Sequence, residues 1–470
     1  MASNTPKWGV AATALVLVLT AGSLWSSEPV QPETWIEGRL LLAWGTPRPG
    51  ESAAAELVAT LEHRDGSRTV IELDRDQLAS IGGPWAAGSE VRVLVPTGIS
   101  WDGDGPLRPA AVEAVAVKSG ADASGSYPYV SLMCRFQGSS DNLWDLSYFE
   151  GMYANVRPGL DHYWREQSYQ MVDVVGSTAA GWFELPHPQS HYTDMISGNQ
   201  YGTMLSALYD DCTDAAAGSV NVNDYVGVNL MFNDTFGPYA WGGWGGVTWE
   251  PPWGWKNVGV IAHEMGHAFG LPHSNNADDD GYPYDNPWDV MSDSWGYATS
   301  DGTYGTVGKH TISYHKDSLG WIGPGRKAEI STPGFYRFDV DHLTLAQTGN
   351  LHMIKVLIPG SNRFYTVEVR DLVSYDGALP GFAVVIHEVD YGREEPAWLV
   401  DAENVDDGAD AGAMWLPGEC FEDLANEISI CVESVTTEGY RVGVGYGDWG
   451  HVFDDGFESG STVGWDAIAD

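Results

Sequence analysis

The alternation of apolar and polar positions changes twice along the chain. From residue 30 to about 120, short apolar runs are separated by Gly, Pro and Asp, which is typical of β-strands joined by turns. Beyond residue 127, strand-like runs alternate with segments of helical period, and this favours a mixed α/β unit. From residue 325 to 447 the two-residue period returns. The pattern predicts an α/β (α+β) domain, flanked by N-terminal and C-terminal all-β domains.

These changes divide the chain into five predicted segments. Residues 28–120 are expected to form a small β domain or a pro-region, and residues 127–323 the α/β domain. Residues 325–447 are expected to form a β-sandwich-like domain, followed by a C-terminal tail at 448–470. The first segment, 1–23, contains the positively charged Lys7, then a short apolar run and then small residues. This order is typical of a secretory signal peptide.

The apolar run of the first segment is too short for a comfortable transmembrane helix, so an uncleaved membrane anchor is the weaker alternative. We therefore expect an exported protein that has no integral membrane association after signal removal. The chain carries 23 basic and 65 acidic residues, a net charge of −42. That charge would repel nucleic acids and anionic membranes and argues against both as partners.

Four cysteines in an exported chain suit two disulfides, for which three connectivities are open. Cys420 and Cys431 are close in sequence, which favours their pairing and leaves Cys134 with Cys212. None of the four lies near a cluster of histidines, so zinc–thiolate chemistry is not expected.

The stretch VIAHEMGHAFGLPH, residues 260–273, contains the candidate chemistry. His263 and His267 are four residues apart, so on a helix both imidazoles project from one face and can share one metal ion. Gly270 allows the left-handed backbone that ends a helix, after which the chain can present His273 as a third ligand. Three imidazoles leave the fourth tetrahedral position open, as in a catalytic zinc site.

Glu264 follows the first histidine and is expected to act as the general base for a zinc-activated water. The predicted activity is therefore zinc-dependent hydrolysis of peptide bonds, with a protein or peptide as substrate. Two alternatives stay open: a non-catalytic surface-binding module, or a peptidase that its β domains direct to glycoproteins.

The extended zinc motif, followed eighteen residues later by Met291 in the sequence WDVMS, resembles the metzincin metallopeptidases. The resemblance implies a metzincin-like catalytic domain with a twisted mixed sheet and an active-site helix. It also implies that Met291 forms an apolar floor beneath the metal. Some metzincins have a tyrosine two residues after this methionine, where this chain has Asp293. Tyr297 is then a candidate oxyanion donor, with a packing aromatic as the alternative. The resemblance also implies a substrate-binding edge strand, for which residues 239–249 are the candidate and an ordinary loop the alternative.

Residues 159–186, 310–322, 364–370 and 375–390 are similar to a narrower group, the secreted bacterial metallopeptidases that include immune inhibitor A and gametolysin. This similarity implies an extracellular bacterial protein. The chain departs from the immune inhibitor A branch at His273, where that branch has an aspartate.

Two acidic clusters have less specific interpretations. Four aspartates after the zinc motif could bind Ca²⁺ or could simply form a solvated loop; they are Asp278, Asp279, Asp280 and Asp285. In the N-terminal segment, Asp102 or Asp104 could occupy the fourth zinc position in a precursor, but Asp-Gly at these positions equally indicates a turn.

Overall fold

The computed structural model describes residues 34–50, 56–96, 105–116, 123–197, 200–276, 284–402, 408–409 and 411–447. Several sequence predictions lie outside these ranges and stay predictions: the signal peptide 1–23, the tail 448–470, Asp102, Asp104, Asp278, Asp279 and Asp280.

Within the described ranges, the N-terminal segment contains five strands and one short helix. They are β1 (Thr34–Pro47), β2 (Glu56–Glu62), β3 (Arg68–Ile71), α1 (Arg75–Ser80), β4 (Glu90–Val95) and β5 (Ala111–Ala116). Helix α1 begins at a capping box in which Asp74 and Gln77 each accept a hydrogen bond from the other's backbone N–H. Strand β1 is buried on both faces. Leu40 and Leu42 face the apolar cluster of this segment, and Leu41 faces the cluster of the next.

The middle segment contains the remaining helices and ten strands. The helices are α2 (Leu146–Gly151), α3 (Leu160–Gln167), α4 (Gln189–Ile196), α5 (Tyr201–Ala216), α6 (Pro252–Trp255), α7 (Val258–Ala268) and α8 (Ser313–Ser318). The strands are β6 (Gly125–Ser126), β7 (Tyr129–Arg135), β8 (Val172–Asp173), β9 (Thr178–Glu184), β10 (Gly227–Phe232), β11 (Tyr239–Gly243), β12 (Val247–Glu250), β13 (Ser274–Asn275), β14 (Thr299–Asp301) and β15 (Gly305–Val307).

One mixed sheet runs through both segments in the order β3-β2-β1-β11-β12-β10-β7-β9. Strands β12, β10, β7 and β9 are parallel, and β11 is antiparallel to its neighbours on both sides. The central strands β7 and β10 are almost continuously apolar because helices cover both faces of the sheet. Helix α7 packs in the apolar cluster on one face, and α5 packs on the other, where the Cys134–Cys212 disulfide ties it to β7.

The prediction of an edge strand is wrong. The stretch 239–249 does form strands, but β11 is not at the edge because β1 pairs along its outer side, from Ala43↔Gly243 to Pro47↔Tyr239. The first two predicted segments therefore share one sheet. The two-residue period of a strand shows which face is apolar, and it leaves the neighbouring strand undetermined.

The C-terminal segment contains nine strands: β16 (Lys327–Ile330), β17 (Gly334–Asp341), β18 (Met353–Leu357), β19 (Phe364–Arg370), β20 (Ala383–Val389), β21 (Ala397–Leu399), β22 (Cys420–Asp423), β23 (Ile428–Val435) and β24 (Gly439–Tyr446). Together with β13 of the middle segment, they form a six-stranded sheet, β13-β21-β20-β19-β18-β16, and a four-stranded sheet, β17-β24-β23-β22, that share one apolar cluster. Short 3₁₀ turns lie at Gly83–Ala86, Val222–Asp224, Pro324–Arg326 and Ser374–Asp376.

The C-terminal sheets are connected to the α/β unit through β13, which directly follows His273 and pairs with β21. The second disulfide, Cys420–Cys431, joins β22 to β23, so both predicted pairings are present. Among the described residues, no helix is both long and apolar enough to cross a membrane.

Candidate metal centre

Helix α7 places the first two histidines in the interior. All eleven residues of α7 are buried. The helix ends in a Schellman arrangement in which Gly270, at φ +96°, donates to the carbonyl of His267, and Leu271 donates to that of Gly266. This left-handed glycine turns the chain back, and His273 consequently faces the same point as the two helical histidines.

The Nε2 atoms of the three histidines converge. They are 3.0 Å apart for His263 and His267, 3.0 Å for His267 and His273, and 3.3 Å for His263 and His273. Nitrogens held tetrahedrally at 2.0–2.1 Å from one zinc ion would be about 3.3 Å apart. The Nδ1 atoms of His263 and His267 lie 2.6 and 2.7 Å from the carbonyl oxygens of Val290 and Leu271. Those carbonyls fix Nδ1 as the protonated nitrogen and leave Nε2 free to bind a metal.

The charge state of the histidines also suits a metal. Burial lowers the pKa of His263 to about 4, and it lowers the pKa values of His267 and His273 well below the usual range. For the latter two, the neighbouring imidazoles lower the pKa further. The three rings are therefore neutral at pH 7, the form that coordinates a metal ion. The three residues form a group that could hold one ion.

Glu264 lies beside this group and is fully buried. Neither of its carboxylate oxygens has a hydrogen-bond partner among the residues that the structure describes. Burial raises the pKa of Glu264 well above its ordinary value, and repulsion from Glu250 raises it further. Glu250, at the end of β12, is also buried without a partner in the described ranges, and burial raises its pKa too.

Met291 lies directly beneath the ligand helix. A Cβ atom placed on Gly266 would lie 2.2 Å from the Met291 Sδ, so a side chain at this helix position would displace the methionine. Gly266 stands between the two helical ligands in the sequence. The contact between Met291 and the helix depends on a glycine whose role sequence reasoning missed, and the role of Met291 beneath a metal stays a prediction.

A buried hydrogen-bond network supports the turn that carries Met291. One carboxylate oxygen of Asp289 accepts from the Met291 backbone N–H at 3.0 Å and from the Thr311 hydroxyl at 2.8 Å. The other accepts from the Ser274 hydroxyl at 2.7 Å. Burial alone would raise the pKa of Asp289, but His315 and these donors hold it well below its usual range. Because Ser274 follows His273, the carboxylate links the turn to the third ligand.

The comparison with known families agrees with this geometry. Residues 207–317 match the family model of Peptidase M66. The match supports a metallopeptidase, and its span includes the three histidines, Glu264 and Met291. It does not extend to the immune inhibitor A and gametolysin group. None of the curated proteins matches the chain.

The Peptidase M66 span also contains both tyrosines that bear on the site. Tyr297 is about half exposed, at 47%, and within the described ranges no hydrogen bond or ring contact joins it to the three histidines. Tyr284 is the tyrosine that contacts a ligand, with its ring centroid 4.9 Å from that of His273. Asp293 occupies the position at which some metzincins have a tyrosine. Its carboxylate accepts hydrogen bonds from the backbone N–H groups of Trp295 and Gly296 in a turn.

Sequence reasoning missed Glu250, and the structure predicts its effect. The Glu250→Gln variant should lose the repulsion that raises the pKa of Glu264, so this pKa should fall. If Glu264 is the general base that the sequence predicts, it works unprotonated, and activity appears as pH rises through its pKa. The acid limb of the kcat/KM profile for peptide hydrolysis should therefore move to lower pH. Glu184→Gln, at an exposed position on β9 of the same sheet, is the control. An acid limb that stays in place or moves to higher pH would contradict the assignment.

Proposed function

We propose that the protein is a secreted zinc-dependent endopeptidase of metzincin type. The observation that carries the proposal is the convergence of three buried, neutral imidazoles beside the unpartnered carboxylate of Glu264. The Peptidase M66 match supports a metallopeptidase, and two disulfides are compatible with an extracellular protein. The finer similarity to immune inhibitor A, the bacterial origin and Ca²⁺ binding rest on the sequence alone.

The donor set fits zinc and supplies the parts that hydrolysis needs. When bound, a zinc ion lowers the pKa of water and polarises a carbonyl oxygen. His263 and His267 would hold the ion in a fixed orientation, because each Nδ1–H is anchored to a backbone carbonyl. Glu264 accepts the proton of the attacking water and later donates it to the leaving amine nitrogen. Its raised pKa favours the first transfer, since the protonated carboxyl is stable in this buried position.

Metal dependence gives the first test. We expect the purified protein to contain one zinc ion per chain by elemental analysis, and the His267→Ala variant to contain less than half as much. A zinc chelator should abolish casein hydrolysis and added Zn²⁺ should restore it. A chelator selective for Ca²⁺ serves as the control for the aspartate cluster. Hydrolysis that persists after zinc removal would exclude the proposed mechanism.

A further inference from the structure

The three histidines of the candidate metal centre come from two structural units. His263 and His267 belong to α7, which packs in an apolar cluster of the α/β unit. His273 is followed directly by β13, and β13 pairs in parallel with β21 of the C-terminal sheets. Strand β13 forms one edge of that six-stranded sheet. The backbone next to the third histidine is therefore part of a C-terminal sheet.

A buried asparagine strengthens this attachment. The side-chain amide of Asn286 donates at 3.2 Å to the carbonyl of Asn275 in β13 and at 3.0 Å to the Nε2 of His387 in β20. Its side-chain oxygen accepts the backbone N–H of Trp288 at 3.0 Å, in the segment that leads to Met291. Asn275, Asn286 and His387 are each at most 2% exposed. One amide thus joins β13, the C-terminal sheet and the turn that carries Met291.

The protonation of His387 suits this contact. The amide nitrogen of Asn286 only donates, so the Nε2 of His387 accepts and carries no proton. Burial lowers the pKa of His387 to about 3, so the ring is neutral at pH 7 and keeps this acceptor. Without the imidazole, the buried amide would lose its partner on β20 and would no longer be held between the sheet and β13.

The position of the third histidine depends on this attachment more than the positions of the other two do. His263 and His267 are fixed by the backbone of α7 and by carbonyl groups at their Nδ1 atoms. His273 lies beyond the end of the helix, after the turn at Gly270, so the chain that follows it helps to set its position. Loss of a group that orients a metal ligand weakens metal binding by about 10–100-fold.

We propose that His387 is a positioning residue for the metal centre. Through Asn286 it holds β13, and with it His273, in the place from which the third imidazole reaches the metal. The C-terminal sheets are then part of the metal site and not only a module attached to the peptidase. The inference rests on the proposed function, because it assigns a further residue to that same site.

A double-mutant cycle on Zn²⁺ affinity tests the proposal without requiring hydrolysis. The affinity of the full-length protein is measured by competition with a chromophoric chelator. His387→Leu should weaken Zn²⁺ binding about tenfold or more. In a His273→Ala background, the same substitution should change the affinity by less than about twofold, because the ligand that it positions is absent. His387→Gln has a side-chain oxygen that accepts the amide hydrogen, and it should bind Zn²⁺ with close to the wild-type affinity.

Ile386→Ala is the matched control. Ile386 is the neighbouring residue on β20 and faces the apolar cluster between the two C-terminal sheets, so its loss should leave Zn²⁺ affinity unchanged. If His387→Leu fails to fold, Asn286→Ala removes the same link and replaces it in the cycle. An equal loss of affinity in both backgrounds, no loss in either, or the same loss in Ile386→Ala would overturn the inference. A wild-type protein that binds no Zn²⁺ would refute the proposed function as well.

Discussion

The Glu264→Gln variant is expected to lose most peptide hydrolysis while it retains its zinc. Glutamine has nearly the same shape as glutamate but cannot take a proton from water at neutral pH, so kcat/KM should fall on the order of 10²–10⁴-fold. The three histidines and their carbonyl partners do not involve this side chain, so zinc content should stay at the wild-type level. The measurement is hydrolysis of a fluorogenic peptide by the purified protein, with zinc determined by elemental analysis.

The Glu184→Gln variant again provides the matched control, because it makes the same chemical change at an exposed position of the same sheet. Its activity should equal that of the wild type. Full activity of Glu264→Gln at a normal zinc content would show that another group takes the proton. A loss of zinc in Glu264→Gln would instead assign the carboxylate a role in holding the metal.

The parts of the site that the sequence predicts are those that local backbone geometry determines. His263 and His267 share a face because of the helical period, and Gly270 turns the chain by adopting a conformation that other residues rarely adopt. His273 follows within one turn. These steps involve a single short stretch of chain, and the structure brings the three predicted ligands together as that stretch implies.

The missed parts of the site depend on contacts between residues distant in sequence. Glu250 reaches Glu264 because β12 packs beside α7, and its acidic side chain in the run VTWEPPWGW was the only sequence signal. Asp289 was part of the predicted methionine segment, but its partners Thr311 and Ser274 come from other elements. The Trp44 ring stacks on the His267 ring with centroids 4.9 Å apart, although the two residues lie far apart in sequence. Strand periodicity predicted β1 as a strand, and it contained no information on the pairing with β11.

The C-terminal sheets contribute to the site through a buried arginine, which sequence patterns also could not reveal. Arg370, at the end of β19, is fully buried and donates to the Trp288 carbonyl in the segment that leads to Met291. It also donates to Asp376 at 2.9 Å and to Glu368 at 3.2 Å. A guanidinium therefore joins the C-terminal sheets to the turn that carries Met291. Strand β13, immediately after His273, pairs with β21 and provides a second connection to the same sheet.

The Arg370→Met variant is expected to lower the free energy of unfolding by about 3–5 kcal/mol, because it leaves two buried carboxylates without their cation. Urea titration followed by tryptophan fluorescence provides the measurement. Arg441→Met is the matched control. It removes an arginine–aspartate pair on the exposed face of β24, where the side chains are 49% and 33% exposed, and should leave the free energy of unfolding nearly unchanged. Equal stability of the two variants would mean that the buried carboxylates do not need Arg370. The hydrogen bond between the C-terminal sheets and the turn that carries Met291 would then not stabilise the fold.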